Sequence, residues 1–278
     1  MPSLPVNERA STEAPRALLH EGQRGGPGVG LPPPTMEVAV VFALVFAATA
    51  LLGLGRAWPA VRDLVHLGIA FVFLFVPLRL ARREPEGAAR FGIDLGGLLE
   101  PTDERDDRPA GPLGLYDLGR AVRAALPSGM RELAFTLALC AVVFPPFVVG
   151  FWAWHQPARA FSLAWPSDLG SFALTQVVLV GLPEEAFFRG YVQTRLADAW
   201  PAPRRWLGAP VRPVVLVLQA LLFAAVHLAT EPHVQKLAVF FPGLLFGWLR
   251  ARRGGIGASI LFHAASNVVA EVLVRSWL

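Results

Sequence analysis

Glu184 and Glu185 stand side by side in a strongly apolar stretch, FALTQVVLVGLPEEAFFRGYVQTRL, and Arg189 follows four residues after Glu185. Placing a charged side chain at the centre of a membrane helix costs roughly 2.5–3.5 kcal/mol even on the mildest scales, so such residues are functional candidates by default. Two later apolar segments carry His227, in FAAVHL, and His263 with Asn267, in FHAASN. A carboxylate can take a proton from water, imidazoles can carry protons, and an asparagine amide can donate to a developing oxyanion. Spread over three membrane helices, these three residue types point to an enzyme that hydrolyses a bond where water is scarce.

Helical spacing sharpens the roles. Glu185 and Arg189 are four apart and share a face, so the arginine can keep that carboxylate charged. Glu184 points about 100° away and is left to act as a base. Pro183 removes a backbone hydrogen bond just before the pair, which predicts a kink. Phe223 and His227 share a face, as do His263 and Asn267. The bland alternatives are a helix end meeting headgroups for the glutamates and a satisfied packing residue for either histidine. Their combination on three segments weakens both. Counted along the helices from the nearest arginine-rich end, Glu184, His227 and His263 lie roughly 16, 22 and 15 Å deep at 1.5 Å per residue. That is one mid-membrane zone, with His227 about a turn deeper.

A metal remains an alternative. No H-E-x-x-H helix is present, yet two histidines and one glutamate are a known zinc set. Glu184, His227 and His263 would be the ligands. The metal-free reading has Glu184 and His227 activating water, with His263 and Asn267 stabilising the oxyanion, and no cofactor.

The elements that must position these residues are membrane helices. The chain is 54% hydrophobic and 17% charged, with mean hydropathy +0.48; a soluble domain runs near 45–50% and about 25%. Seven apolar segments stand out, at about 37–55, 61–80, 132–154, 169–190, 211–230, 234–250 and 256–276. The fold expected is an all-α polytopic bundle of about seven transmembrane helices, with no internal repeat. A single cysteine, Cys140, excludes a disulfide framework or a cysteine-rich metal site. The arginines are scattered over loops and form no basic stripe, which argues against nucleic acid.

Three regions follow: a Pro- and Gly-rich disordered tail over 1–35, two helices and a loop over 36–131, and a catalytic helix core over 132–278. Met36 directly precedes the first apolar run and is an alternative start. Within 81–131, the charged run EPTDERDDRP precedes DLGRAVRAALPSGMREL, which has the pattern of an amphipathic helix at the interface. Loops after segments two, four and six hold Arg82, Arg83, Arg90, Arg195, Arg204, Arg205, Arg212, Arg252 and Arg253; the opposite loops hold little beyond Arg56, Arg62, Arg159 and Lys236. Positive loops stay in the cytoplasm, so the N-terminus is expected inside and, with seven spans, the C-terminus outside.

Glu184-Glu185-AFF-Arg189, then Phe223-AAV-His227, then His263-AAS-Asn267 resemble, in that order, the motifs of the CPBP family of intramembrane proteases. That family includes the type-two CAAX prenyl endopeptidases and bacteriocin-processing or immunity relatives. The resemblance covers about 169–276. It implies peptide-bond hydrolysis in a helical cavity open to the cytosol. Glu184 would be the base, aided by His227; His263 and Asn267 would bind the oxyanion; Glu185 and Arg189 would support the site. The expected partners are a membrane-associated protein or peptide substrate and the lipid bilayer, in a bacterial inner membrane. Substrate identity does not carry over. Family members that serve as non-catalytic immunity or scaffold proteins keep a second reading open. A proton-coupled transporter would predict an inverted repeat, which is absent.

Overall fold

Apolar runs of about 20 residues form helices that hold all backbone polar groups in internal hydrogen bonds, the requirement for crossing lipid. In this computed structural model, which describes residues 33–58, 60–96, 115–200, 203–230 and 232–278, six helices are long and apolar enough to span. They are α1 (Pro34–Leu54), α2 (Arg62–Ala81), α4 (Leu115–His155), α5 (Leu169–Ala199), α6 (Pro213–Thr230) and α8 (Gly257–Trp277). The short α3 (Gly87–Phe91) follows α2. The expected all-α membrane bundle is what the chain forms. The 1–35 tail and the run EPTDERDDRP fall, apart from residues 33–35, outside the described residues.

The expected sixth segment is not one span-length helix. It is a 3₁₀ stretch, Val234–Val239, continued by α7 (Phe240–Arg253). α7 packs antiparallel to α6 through Gly243 and Gly247. A Cβ on Gly247 would lie 2.5 Å from Gln219 Nε2 and 2.8 Å from Leu216 Cδ2, so the two backbones approach as only glycine permits. The segment packs along α6, but six helices rather than the expected seven are long and apolar enough to span among the described residues.

The expected interfacial helix also differs. Residues 115–131 are continuous with the third span, giving 41 helical residues. At 1.5 Å per residue that is roughly 60 Å, about twice the hydrocarbon thickness. Pro127, Pro145 and Pro146 are accommodated inside it. Pro127 falls where the sequence turns from polar to apolar, and the helix runs through regardless because an amphipathic turn can stack end-on to a span.

One end of the bundle is knitted by charge. Arg195 pairs with Glu37 at 3.2 Å and also with Glu84; Arg90 bonds Asp198 at 2.6 Å; Arg253 bonds Glu132 at 2.6 Å. Arg250 Nη2 donates to the Arg90 carbonyl at 2.9 Å. A small antiparallel hairpin, β1 (Arg204–Trp206) and β2 (Ala209–Val211), lies at the same end, its turn made by Leu207 and Gly208 at positive φ. The opposite end holds residues 55–58, 60–63, 156–168 and 232–239 and the C-terminus, where Ser162 N–H donates to the Ser276 carbonyl at 3.1 Å. The three arginine-rich loops of the sequence therefore share one end. Around the circumference large apolar side chains stay uncovered, among them Leu44, Phe71, Val142 and Phe241, as a lipid-facing surface requires.

Candidate functional site

The fourth span, α5, is not a uniform α-helix. Wide π-type turns occupy Gln176–Gly181 and Ala186–Val192, and a single α-turn, Leu182–Glu185, lies between them. Pro183 opens that turn, where its missing N–H is least costly. The expected kink is thus realised as two helix bulges flanking the glutamates. Such bulges recur at functional sites because they rotate side chains off the regular face.

Glu185 and Arg189 are completely buried and bonded at 2.9 Å. Arg189 also donates to the Gly243 carbonyl at 3.3 Å and lies over the rings of Phe223 at 4.2 Å and Phe246 at 4.9 Å. Burying two charges costs several kcal/mol each in real proteins, offset only when hydrogen bonds and partners are complete. Here the flanking rings add a cation–π contribution of about 2 kcal/mol each at desolvated sites.

Glu185 has a second partner that spacing could not reveal. Its Oε1 lies 2.9 Å from His263 Nδ1. The carboxylate, ionised beside Arg189, can only accept, so His263 carries its proton on Nδ1 and donates it. The other ring nitrogen, Nε2, faces Glu184 Oε2 at 3.8 Å. The imidazole stacks on Phe246, with ring centres 4.8 Å apart and planes 22° from parallel. His263 is therefore fixed in orientation and tautomer, with Nε2 turned to Glu184. Glu184 Oε2 has no hydrogen-bond partner although it is buried.

His227 donates its Nδ1 proton to the Phe223 carbonyl at 2.8 Å, which leaves Nε2 as an acceptor. Its ring meets Phe223 edge-on at 4.7 Å, and the same Phe223 ring meets His263 at 6.1 Å. His227 and Glu184 both line a cavity of about 580 Å³. Asn267 lies one turn beyond His263 on α8, and its amide donates to Gln176 Oε1 at 2.8 Å. Gln176 lines the same cavity.

The structure thus brings Glu184, Glu185, Arg189 and His263 into direct succession. It sets His227 on the cavity wall with Glu184, and ties Asn267 to that wall through Gln176. The roles of Gln176, Phe246 and the Gly243 carbonyl were not singled out from the sequence. Gln176 alone had a visible signal, as the one amide in the apolar run ALTQVVLV.

The zinc alternative requires three donors to converge. Among the described residues no three His, Cys, Asp or Glu side chains do so. His263 Nδ1 is committed to Glu185 and His227 Nδ1 to a carbonyl. The donor set does not fit a zinc ion in this geometry, and no step below passes through one.

Residues 165–269 match the family model described as Rce1-like, Type II CAAX prenyl endopeptidase Rce1-like. The matched stretch contains Glu184, Glu185, Arg189, His227, His263 and Asn267. It agrees with the CPBP resemblance of the three motifs and supports intramembrane CAAX-type protease activity in general terms. None of the curated proteins and none of the solved structures compared with the chain matches it.

Proposed function

We propose that this protein is an intramembrane endopeptidase that hydrolyses peptide bonds of membrane-associated proteins by glutamate-activated water. The observation that carries the reading is the chain of contacts Arg189–Glu185–His263–Glu184, which ends on a carboxylate at a cavity wall. Every member but the last is held by at least two neighbours. Of the four, Glu184 is the one that lines the cavity, and its Oε2 has no hydrogen-bond partner.

The chemistry follows from those protons. Glu184 takes a proton from a water held between it and His227 Nε2. The water oxygen then bonds to the scissile carbonyl carbon. His263 has no proton on Nε2 while neutral, so it becomes an oxyanion donor only after receiving one, and Glu184 at 3.8 Å is the nearest source. Glu185 stabilises the resulting imidazolium through Nδ1, as a buried carboxylate does for a catalytic histidine. Asn267, fixed by Gln176, offers its second amide hydrogen to the same oxygen. The C–N bond breaks, and the proton passes to the departing amine. The products are a new carboxylate and a new amino terminus.

The test is a comparison of membrane-protein termini in cells expressing the wild-type chain or Glu184→Gln. The hydrolase reading expects a small set of new termini that vanish in the variant. Identical sets with equal protein levels would favour an immunity or scaffold role.

A further inference from the structure

The cavity at Glu184 has a direction. On each helix that lines it, the lining residues reach from the arginine-poor end no further than about the middle: Thr49 on α1, His66 to Phe73 on α2, Asp168, just before α5, to Glu184 at its midpoint, and Val226 to Thr230 on α6. On α5 they recur as 168, 171, 172, 175, 176, 179, 180 and 184, one continuous helix face. Asp168, Ser171 and His66 at its mouth are exposed, and Leu67 and Leu179 on its flank are 48% and 37% exposed. The path thus opens at the arginine-poor end and sideways between α2 and α5.

Toward the other end the way is shut. Phe187, Phe188 and Tyr191, the residues that follow the glutamates, are fully buried. Phe73 closes on Phe187 at 5.4 Å and Phe188 at 5.7 Å, and Phe91 closes on Tyr191 at 5.9 Å. Four rings and a phenol fill the space between Glu184 and the arginine-rich end.

Arginine-rich ends stay in the cytoplasm. A cavity open to the cytosol and this arginine bias therefore cannot both hold for one bundle. We infer that the site is reached from the extracytoplasmic side, and that its substrates are membrane-anchored proteins whose scissile bond lies in the outer half of the bilayer or just beyond it. The inference rests on the hydrolase reading for the word substrate, and on geometry and charge alone for the side of access. The sideways gap beside Leu67 and Leu179 admits a membrane-held segment without pulling it out of lipid. The polar face of Ser171, Thr175 and Gln176 supplies hydrogen-bonding groups for an extended backbone on its way to Glu184.

Access is tested with single cysteines in a Cys140→Ser background and a membrane-impermeant maleimide applied to intact cells. Ser171→Cys marks the mouth and Thr175→Cys the path. Leu174→Cys, one residue away, is 63% exposed but lies off the cavity. Arg205→Cys marks the arginine-rich end. The thiolate is the reactive form and needs water, so Thr175→Cys is expected to label about tenfold faster than Leu174→Cys. Ser171→Cys and Thr175→Cys should label from outside and Arg205→Cys only after permeabilisation. Labelling of Arg205→Cys from outside with Thr175→Cys protected, or no labelling of Thr175→Cys from either side, overturns the inference. Outside labelling with a Glu184→Gln terminus profile equal to wild type leaves the access route standing and removes the hydrolase reading. Inside labelling with an altered profile does the reverse.

Discussion

His263 Nδ1 and Glu185 Oε1 lie 2.9 Å apart, joining α8 to α5 in the buried heart of the bundle across 78 residues of chain. The same oxygen receives Arg189. One carboxylate thus anchors an arginine on its own helix and orients a histidine on another.

Removing that charge should be felt in stability first. Glu185→Gln leaves Arg189 buried without its counter-ion, and breaking a buried pair on one side typically costs about 3–5 kcal/mol. Glu184 is only partly buried and has no bonded partner on Oε2, so Glu184→Gln should leave the fold intact. Thermal unfolding in detergent is expected to show a large drop for Glu185→Gln and little change for Glu184→Gln. Equal stability of both variants would contradict the anchoring role.

The α6–α7 contact makes a second expectation. Gly247→Ala forces a methyl against Gln219 Nε2 and Leu216 Cδ2. Overpacking of this kind typically costs about 1–3 kcal/mol. The Gly243 carbonyl accepts from Arg189, so a shift of α7 should also loosen the arginine. Thermal unfolding of Gly247→Ala, beside the neutral surface change Gly254→Asn, measures it; Gly254 has positive φ and open space, which asparagine tolerates.

Asn267 and Gln176 separate turnover from binding. Loss of one oxyanion donor usually costs about 10²–10³ in kcat, so Asn267→Ala should lower kcat by that order with KM little changed. Gln176→Leu keeps the donor but frees it to rotate, and a smaller loss in kcat is expected. A KM effect alone in Asn267→Ala would place that residue in substrate binding.

Metal content gives a fourth check. Elemental analysis of active protein after exhaustive chelation should find activity retained and no zinc in proportion to chain. One tightly held zinc per chain, lost in step with activity, would require Glu184, His227 and His263 to rearrange into a ligand set they do not form here.

Much of this was legible in the sequence, for a physical reason. Ionisable residues in hydrocarbon are costly, so Glu184, Glu185, Arg189, His227, His263 and Asn267 stand out from their apolar surroundings. Helical periodicity identified the Glu185–Arg189 pair within one segment. It could not reach the Glu185–His263 bond, which depends on how α5 and α8 meet. The two wide helix turns around Pro183 were hidden as well, since proline signals only that regular hydrogen bonding must change. Hydropathy averages over windows, so it merged Val234–Val239 with α7 and divided α4 where its polar face ended. The aromatic wall of Phe73, Phe187, Phe188 and Tyr191 reads in sequence as ordinary apolar filling, although it decides which way the cavity opens.

The central claim is that Glu184 activates water. Its most direct measurement is turnover by purified wild-type protein and Glu184→Gln on a substrate identified from the terminus comparison, with folding of both verified by thermal unfolding. Loss of a general base typically costs about 10²–10⁴-fold, so the variant should fold normally and cleave at least a hundredfold more slowly. A folded Glu184→Gln protein that keeps more than about a tenth of wild-type turnover would contradict the account.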